Sequence, residues 1–380
     1  MQRHDLSGRG TTINRRRFLG AGSAAVGTLA VAGCLDGLGG GDEDPFDSYE
    51  PQEAAAESSA VSWDDLGDLE GELTIYSART QDQIDPLFEK LEDEYDDFTI
   101  KRDYDDEGDQ LASILEEGEN SPADVFYTQS SGELARLKDE GLARELPEDV
   151  IDAVDDNYRD SDGQWTGASG RVRAVQYNTD HFDGDDLPDD IFAYAEDERF
   201  RDVISTRPNS GTFHSFIVAM MEEEGEDATR EWVRAMVEDQ NATLYSSGSD
   251  QAEAVASGEQ EIALGNQYYA GRIVDDDPDA PLDVTFTSND PGCLFNVSGV
   301  AILEGADKPN LAAEFTRHII AEQGQDFFVD VNGEYPVVDG VEYVGELPTL
   351  DEIDPLEFDL NKLGDVEPAI DLLREEGMTV

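Results

Sequence analysis

The sequence predicts an α/β protein built as two lobes. The expectation rests on a chain of 380 residues, a 38% apolar fraction sufficient for a core, and short apolar runs that alternate with helical periodicity from Gly71 onward. At roughly 150 residues per domain, that length suits two lobes. Strands alternating with helices argue for largely parallel sheets. No internal repeat is present.

The first residues read as targeting rather than fold. Arg15-Arg16-Arg17-Phe18-Leu19 precedes an uncharged run from Gly20 to Gly33 that ends at Cys34. Such a run is short for a membrane span and suits a signal h-region. It resembles a twin-arginine signal followed by a lipobox, Val31-Ala32-Gly33-Cys34, whose cysteine is lipidated after cleavage. Residues 1–34 are therefore assigned as a Tat-type lipoprotein signal. Cys293 is then left without a cysteine partner, so no internal disulfide is expected. Residues 35–70 are rich in Gly, Asp, Glu, Pro, Ser and Ala, with few bulky apolar residues beyond Phe46 and Trp63. They read as a disordered acidic tether.

The folded part opens on a strand, Leu73-Thr74-Ile75-Tyr76-Ser77. Ile84, Leu87, Phe88, Leu91 and Tyr95 then fall at helical spacing, with Pro86 placed in a first turn. Further strands are expected at Phe98–Tyr104, Asp124–Thr128, Arg173–Asn178, Val203–Arg207, Ala242–Ser246, Glu261–Asn266, Asp283–Thr287 and Gly299–Leu303. Trp232, Val233 and Met236 mark one intervening helix. Leu311, Phe315 and Ile319 mark another.

Charge narrows the function. With 90 acidic against 25 basic residues, the formal net charge is −65, and only 5 of the basic residues are lysine. Repulsion from phosphate and the lack of a basic stripe exclude nucleic acid as a partner. Acid spread along the chain reads as a halophilic surface, whose self-repulsion concentrated salt would screen. Asp103, Asp105, Glu107 and Gly108 mimic the start of a calcium loop, but the twelfth position is Ile114, so they read as a solvated acidic face. His4, His181, His214 and His318 lack metal-ligand spacing. No P-loop, dinucleotide fingerprint or nucleophile elbow is present, and Cys293 reads as core.

Five segments carry a family resemblance. They are Tyr76-Ser77-Ala78-Arg79 with Asp85-Pro86-Leu87-Phe88, then Asn120 through Gln129, then Gly170-Arg171-Val172-Arg173 before Tyr177-Asn178. Asn266-Gln267-Tyr268-Tyr269 follows, and Asp290-Pro291-Gly292, Ser298-Gly299 and Glu334-Tyr335-Pro336 complete the set. From Gly71 to Val380 the chain resembles the bacterial ferric-ion-binding proteins, periplasmic counterparts of transferrin. The resemblance implies a two-lobe periplasmic-binding-protein fold of type II with the ligand in the cleft between lobes. Lobe one would comprise residues 71–171 and 300–345, and lobe two residues 172–299 and 346–380.

It further implies a non-enzymatic receptor for Fe(III) that delivers iron to an ABC transporter permease, and with the lipobox at Cys34 the expectation is a monomer anchored by lipid to the outer face of the cytoplasmic membrane. Ferric iron is a hard cation that should prefer anionic oxygen, and phenolate supplies it. Tyr268 and Tyr269 are the implied ligands, with Tyr177 as a third. Adjacent tyrosines on a strand face opposite ways, so the pair converges only if Tyr268 opens a helix. The histidine or tyrosine and the glutamate that some members supply are absent, since Thr80, Gln81 and Gln129 stand there. A subset of the family completes the coordination with carbonate held by an arginine, which Arg79 matches. Arg173 either assists or makes an ion pair, Ser210-Gly211-Thr212 either offer anion-binding amides or cap a helix, and Asn266 stands with this anion-binding set. The alternatives are a same-fold receptor for thiamine, a polyamine or an organophosphonate, and a secreted metal-dependent hydrolase.

Overall fold

The computed structural model describes residues 61–105, 108–343 and 345–379. The signal, Cys34, the tether through residue 60 and Glu107 lie outside the described residues. The strands are β1 Gly71–Ser77, β2 Phe98–Tyr104, β3 Val125–Thr128, β4 Thr166–Asn178, β5 Ile204–Thr206, β6 Thr243–Leu244, β7 Ile262–Asn266, β8 Leu282–Thr285 and β9 Phe295–Ile302. The helices up to the middle of the chain are α1 Gln81–Glu94, α2 Asp109–Glu117, α3 Ser131–Asp139, α4 Glu148–Asp152, α5 Ala193–Glu196 and α6 Gly211–Glu224. They are followed by α7 Glu226–Glu238, α8 Gly248–Ala256, α9 Gln267–Asp276, α10 Pro309–Ile320, α11 Glu322–Asn332 and α12 Glu367–Glu375.

Local sequence explains the opening unit. Leu73 and Ile75 of β1 are fully buried, as are Ile84, Leu87, Phe88 and Leu91 of α1. Each such side chain is worth about 1.5–3 kcal/mol of burial, so the apolar stripe of α1 fixes it onto the sheet. The helix begins earlier than its apolar spacing suggests, at Gln81, which puts Pro86 inside it rather than in its first turn. Pro86 lies on the exposed face, where water can satisfy the carbonyl that the missing N–H leaves free.

The strand order is β2-β1-β3-β9-β4-β7-β5-β6, with β8 beside β4. The β1–β2, β1–β3, β5–β6 and β5–β7 pairings are parallel, as the alternation of strands and helices implies. The pairings made by β4 and β9 are antiparallel, so the sheet is mixed rather than largely parallel. The cause is that β4 serves two neighbours in turn. Thr166 to Val172 pair with β9, and Arg173 to Asn178 pair with β7 or β8.

That crossing depends on glycine. A Cβ on Gly170 would lie 2.2 Å from Phe295 Cζ, and one on Gly299 would lie 2.3 Å from the Thr166 carbonyl oxygen. Every residue of β4 is buried, so the strand lacks the in–out alternation that normally announces one. Its first half and the Phe295–Ser298 part of β9 were accordingly not expected from sequence.

The end of the tether departs from expectation. Trp63 is buried, its indole N–H donates to the His318 carbonyl at 2.8 Å, and Gly67 N donates to Glu314 at 3.0 Å. His318 is itself satisfied by Tyr95 at 2.8 Å and the Glu314 carbonyl at 2.7 Å. Residues 61–70 thus belong to the fold, because one large aromatic side chain finds a helix end to cap. The C-terminal stretch packs on helices from both halves of the chain. The 3-10 turn Leu360–Gly364 lies on α3, where a Cβ on Gly132 would sit 2.3 Å from the Leu363 carbonyl oxygen, while α12 packs on α6.

Candidate functional site

Strand β7 ends at Asn266 and α9 starts at Gln267, so Tyr268 and Tyr269 occupy the opening turn of a helix. Helical geometry lets neighbouring side chains converge where strand geometry would separate them. Their ring centroids lie 4.3 Å apart at 41°. Tyr268 is buried and Tyr269 half-buried. Burial, reinforced by the nearby Tyr269 hydroxyl, raises the Tyr268 phenol above its ordinary range, while Arg171 pulls the other way.

Arginines surround this pair. The Arg171 guanidinium donates to the Gln129 carbonyl, and its Nε is buried without a partner. Arg207 Nη1 donates to the Tyr269 hydroxyl at 3.1 Å. Arg272 stacks over the Tyr268 ring at 5.1 Å and donates to the Asn332 carbonyl at 3.3 Å, closing the C-terminus of α11. Gln267 fixes the same turn, accepting from Val172 N at 3.0 Å and donating to the Gly333 carbonyl at 3.3 Å. Thus α9 is tied to the crossing strand and to α11.

Arg79 occupies the centre of a buried network. Its Nη2 donates to Glu334 at 2.9 Å and its Nη1 to Ser298 at 2.9 Å and Ser169 at 3.4 Å. Ser169 also donates to Glu334 at 2.6 Å. Burial alone would lower the guanidinium pKa, but Glu334 together with the Tyr127 and Tyr268 hydroxyls more than offsets it and the net shift is upward. Arg79 is therefore committed to an internal ion pair, with only its buried Nε left unpartnered. Its charge still acts on Tyr268.

Arg173 makes no ion pair among the described residues. It stacks on Phe216 at 4.4 Å and Phe213 at 5.4 Å and donates to the Leu264 carbonyl at 3.3 Å. Burial lowers its pKa to about 9. Ser210 caps α6, accepting from Phe213 N at 3.2 Å, and Asn266 Nδ2 lies 3.5 Å from Thr212 Oγ1. Ser210, Gly211 and Thr212 thus stand at a helix N-terminus joined to the tyrosine-bearing turn through Asn266. A helix start of this kind suits an anion.

Tyr177 stands apart, which corrects its expected grouping with the pair. In the β4–β7 register Arg173 faces Asn266 but Tyr177 faces Ile262, at the opposite end of β7. At about 3.3 Å per residue this puts it ~13 Å along the strand from the paired tyrosines' end. Its hydroxyl donates to Asp283 at 3.2 Å, and burial with Asp283 pushes its pKa up to about 12. Among the described residues no three His, Cys, Asp or Glu side chains gather as a metal cluster. Cys293 is fully buried, and burial pushes its thiol pKa up.

Residues 120–356 match the profile of the bacterial extracellular solute-binding proteins. The chain belongs to that family. Within it, the chain is 29% identical over 320 residues to iron uptake protein A1 of Synechocystis, covering 80% of this chain and 87% of that one. It is 30% identical over 277 residues to the major ferric iron-binding protein of Neisseria meningitidis, covering 71% and 83%. Its fold superposes on iron-bound HitA of Pseudomonas aeruginosa with a TM-score of 0.75 at 27% identity, covering 80% and 99%. This extracellular solute-binding protein therefore has the type II periplasmic-binding fold and is a binding protein rather than an enzyme.

Proposed function

We propose that this solute-binding protein captures ferric iron outside the cytoplasm and delivers it to an ABC transporter permease. Anchoring through lipidated Cys34, a halophilic surface, a monomeric state and lobes formed by residues 71–171 with 300–345 and 172–299 with 346–380 belong to the same proposal. The observation that carries it is the convergence of Tyr268 and Tyr269 on the first turn of α9, their rings 4.3 Å apart. Two phenolates offer a hard cation the oxygen it prefers, and a bound metal can hold such a ligand deprotonated at neutral pH.

Without Tyr177 the pair leaves coordination positions to be filled. Arg79, Arg171, Arg173 and Arg207 bring positive charge toward the site, and Glu334 answers only that of Arg79. Iron is therefore proposed to bind together with an oxyanion such as carbonate, held by Arg171 and the α6 amides, with Arg79 acting through its charge. The same surround disfavours cationic solutes such as thiamine or a polyamine and keeps an organophosphonate as the second reading.

Protein purified in molar salt and titrated with ferric citrate in bicarbonate should bind about one iron, develop a visible tyrosinate-to-iron band and release protons. A colourless protein that ignores iron but binds an organophosphonate would replace the first reading by the second.

A further inference from the structure

Tyr269 is held on three sides. Its ring lies against Tyr268 at 4.3 Å. A Cβ on Gly248, at the start of α8, would lie 2.4 Å from its Cε2 and Cζ. Its hydroxyl accepts from Arg207 Nη1 at 3.1 Å. Arg207 is fixed in turn, because Ser210 Oγ donates to its carbonyl at 3.1 Å and Tyr245 N donates to the preceding carbonyl, of Thr206, at 2.9 Å. Arg207 makes no ion pair among the described residues, and its Nε is buried without a partner.

A guanidinium in an acidic chain without a carboxylate partner calls for an explanation. From this geometry we infer that Arg207 is a positioning residue for Tyr269, bonded to the phenol oxygen both before and after iron loads. The inference rests on reading Tyr269 as an iron ligand. The donor directs one lone pair of the oxygen toward Arg207 and so fixes which lone pair meets the metal. It also withdraws electron density from the phenolate. Because the visible band moves an electron from phenolate to iron, a hydrogen bond that stabilises the phenolate raises the energy of that transition. Groups that orient a metal ligand in this way typically change affinity about 10–100-fold when removed.

The test compares ferric-loaded parent, Arg207→Gln and Arg207→Lys proteins in molar salt with citrate and bicarbonate. Arg207→Gln should weaken iron binding about 10–100-fold and shift the band to longer wavelength. Arg207→Lys, which keeps the charge but loses the planar fork, should recover part of both. A merely structural role would lower the melting temperature and leave the band of the loaded protein in place. An unshifted band, with affinity within about twofold of the parent, overturns the inference while the iron reading stands. Should Arg207→Gln fail to fold, an unshifted band in Arg207→Lys overturns it equally. A parent protein with no band at all overturns the iron reading and this inference with it.

Discussion

Replacing Tyr268 or Tyr269 by phenylalanine is expected to lower ferric affinity by about a hundredfold or more, corresponding to about 2.8 kcal/mol or more at 1.4 kcal/mol per factor of ten. Each change removes one anionic oxygen and keeps the ring, so the 4.3 Å tilted ring contact survives and the effect reads coordination rather than packing. Proton linkage gives a second signature. Burial holds the Tyr268 phenol above its ordinary range, so it is protonated at neutral pH and must lose a proton when iron binds. Apparent affinity should therefore fall on acidification, and less steeply in Tyr268→Phe than in the parent. Tyr177→Phe should leave affinity within about twofold, since its hydroxyl meets Asp283 instead. Equal losses in all three variants would contradict the geometry.

Glu334→Gln is expected to cost about 3–5 kcal/mol of stability, because it leaves the Arg79 charge buried without its counterion. The two side chains are 0% and 5% exposed, so solvent cannot take over the role. The melting temperature in molar salt should fall by on the order of 10 °C. Combining Glu334→Gln with Arg79→Met should be milder than Glu334→Gln alone, since a buried pair replaced as a unit loses its desolvation penalty too. A melting temperature unchanged by Glu334→Gln would mean that the network is not closed as described. This pair ties the loop after β1 to Ser169 of β4, Ser298 of β9 and the residue after Gly333. Its loss should therefore loosen the crossing strands themselves.

What was legible in sequence follows from how each feature is encoded. The elements around β1, β2, α7 and α10 carry ordinary apolar periodicity and lie where it puts them, as does α1 apart from its earlier start at Gln81. The crossing strands do not, since β4 is buried on both faces and built partly of Gly, Ala and Ser. The glycines at 170 and 299 were the available signal, and the structure explains them by close approaches to Phe295 and to the Thr166 carbonyl. Trp63 was visible as a lone aromatic in an acidic stretch, but its partner, the His318 carbonyl, lies 255 residues away.

The site divides in the same way. The convergence of Tyr268 and Tyr269 needed only the strand-to-helix junction after Asn266. Tyr177 was grouped with the pair on the family resemblance alone, and the extended run of β4 carries it to the Ile262 end of β7. Arg79 was expected to hold an anion, yet its forked nitrogens are taken by Glu334, Ser298 and Ser169, contacts no local pattern reveals. Arg171 and Arg207 were not singled out. Their signal was scarcity, since the chain has only 25 basic residues, and Arg171 is buried and Arg207 half-buried.

On the proposed two-lobe division, parting of the lobes about β4 and β9 would expose the buried Tyr268, so iron capture is expected to couple to hinge motion. The most direct test is anomalous X-ray diffraction at the iron edge from protein crystallised with ferric citrate and bicarbonate. The account predicts one strong peak within bonding distance of both the Tyr268 and Tyr269 hydroxyl oxygens, with oxyanion density between the metal and the start of α6. A peak beside Tyr177 and Asp283, or no ordered iron at the paired tyrosines, would contradict it.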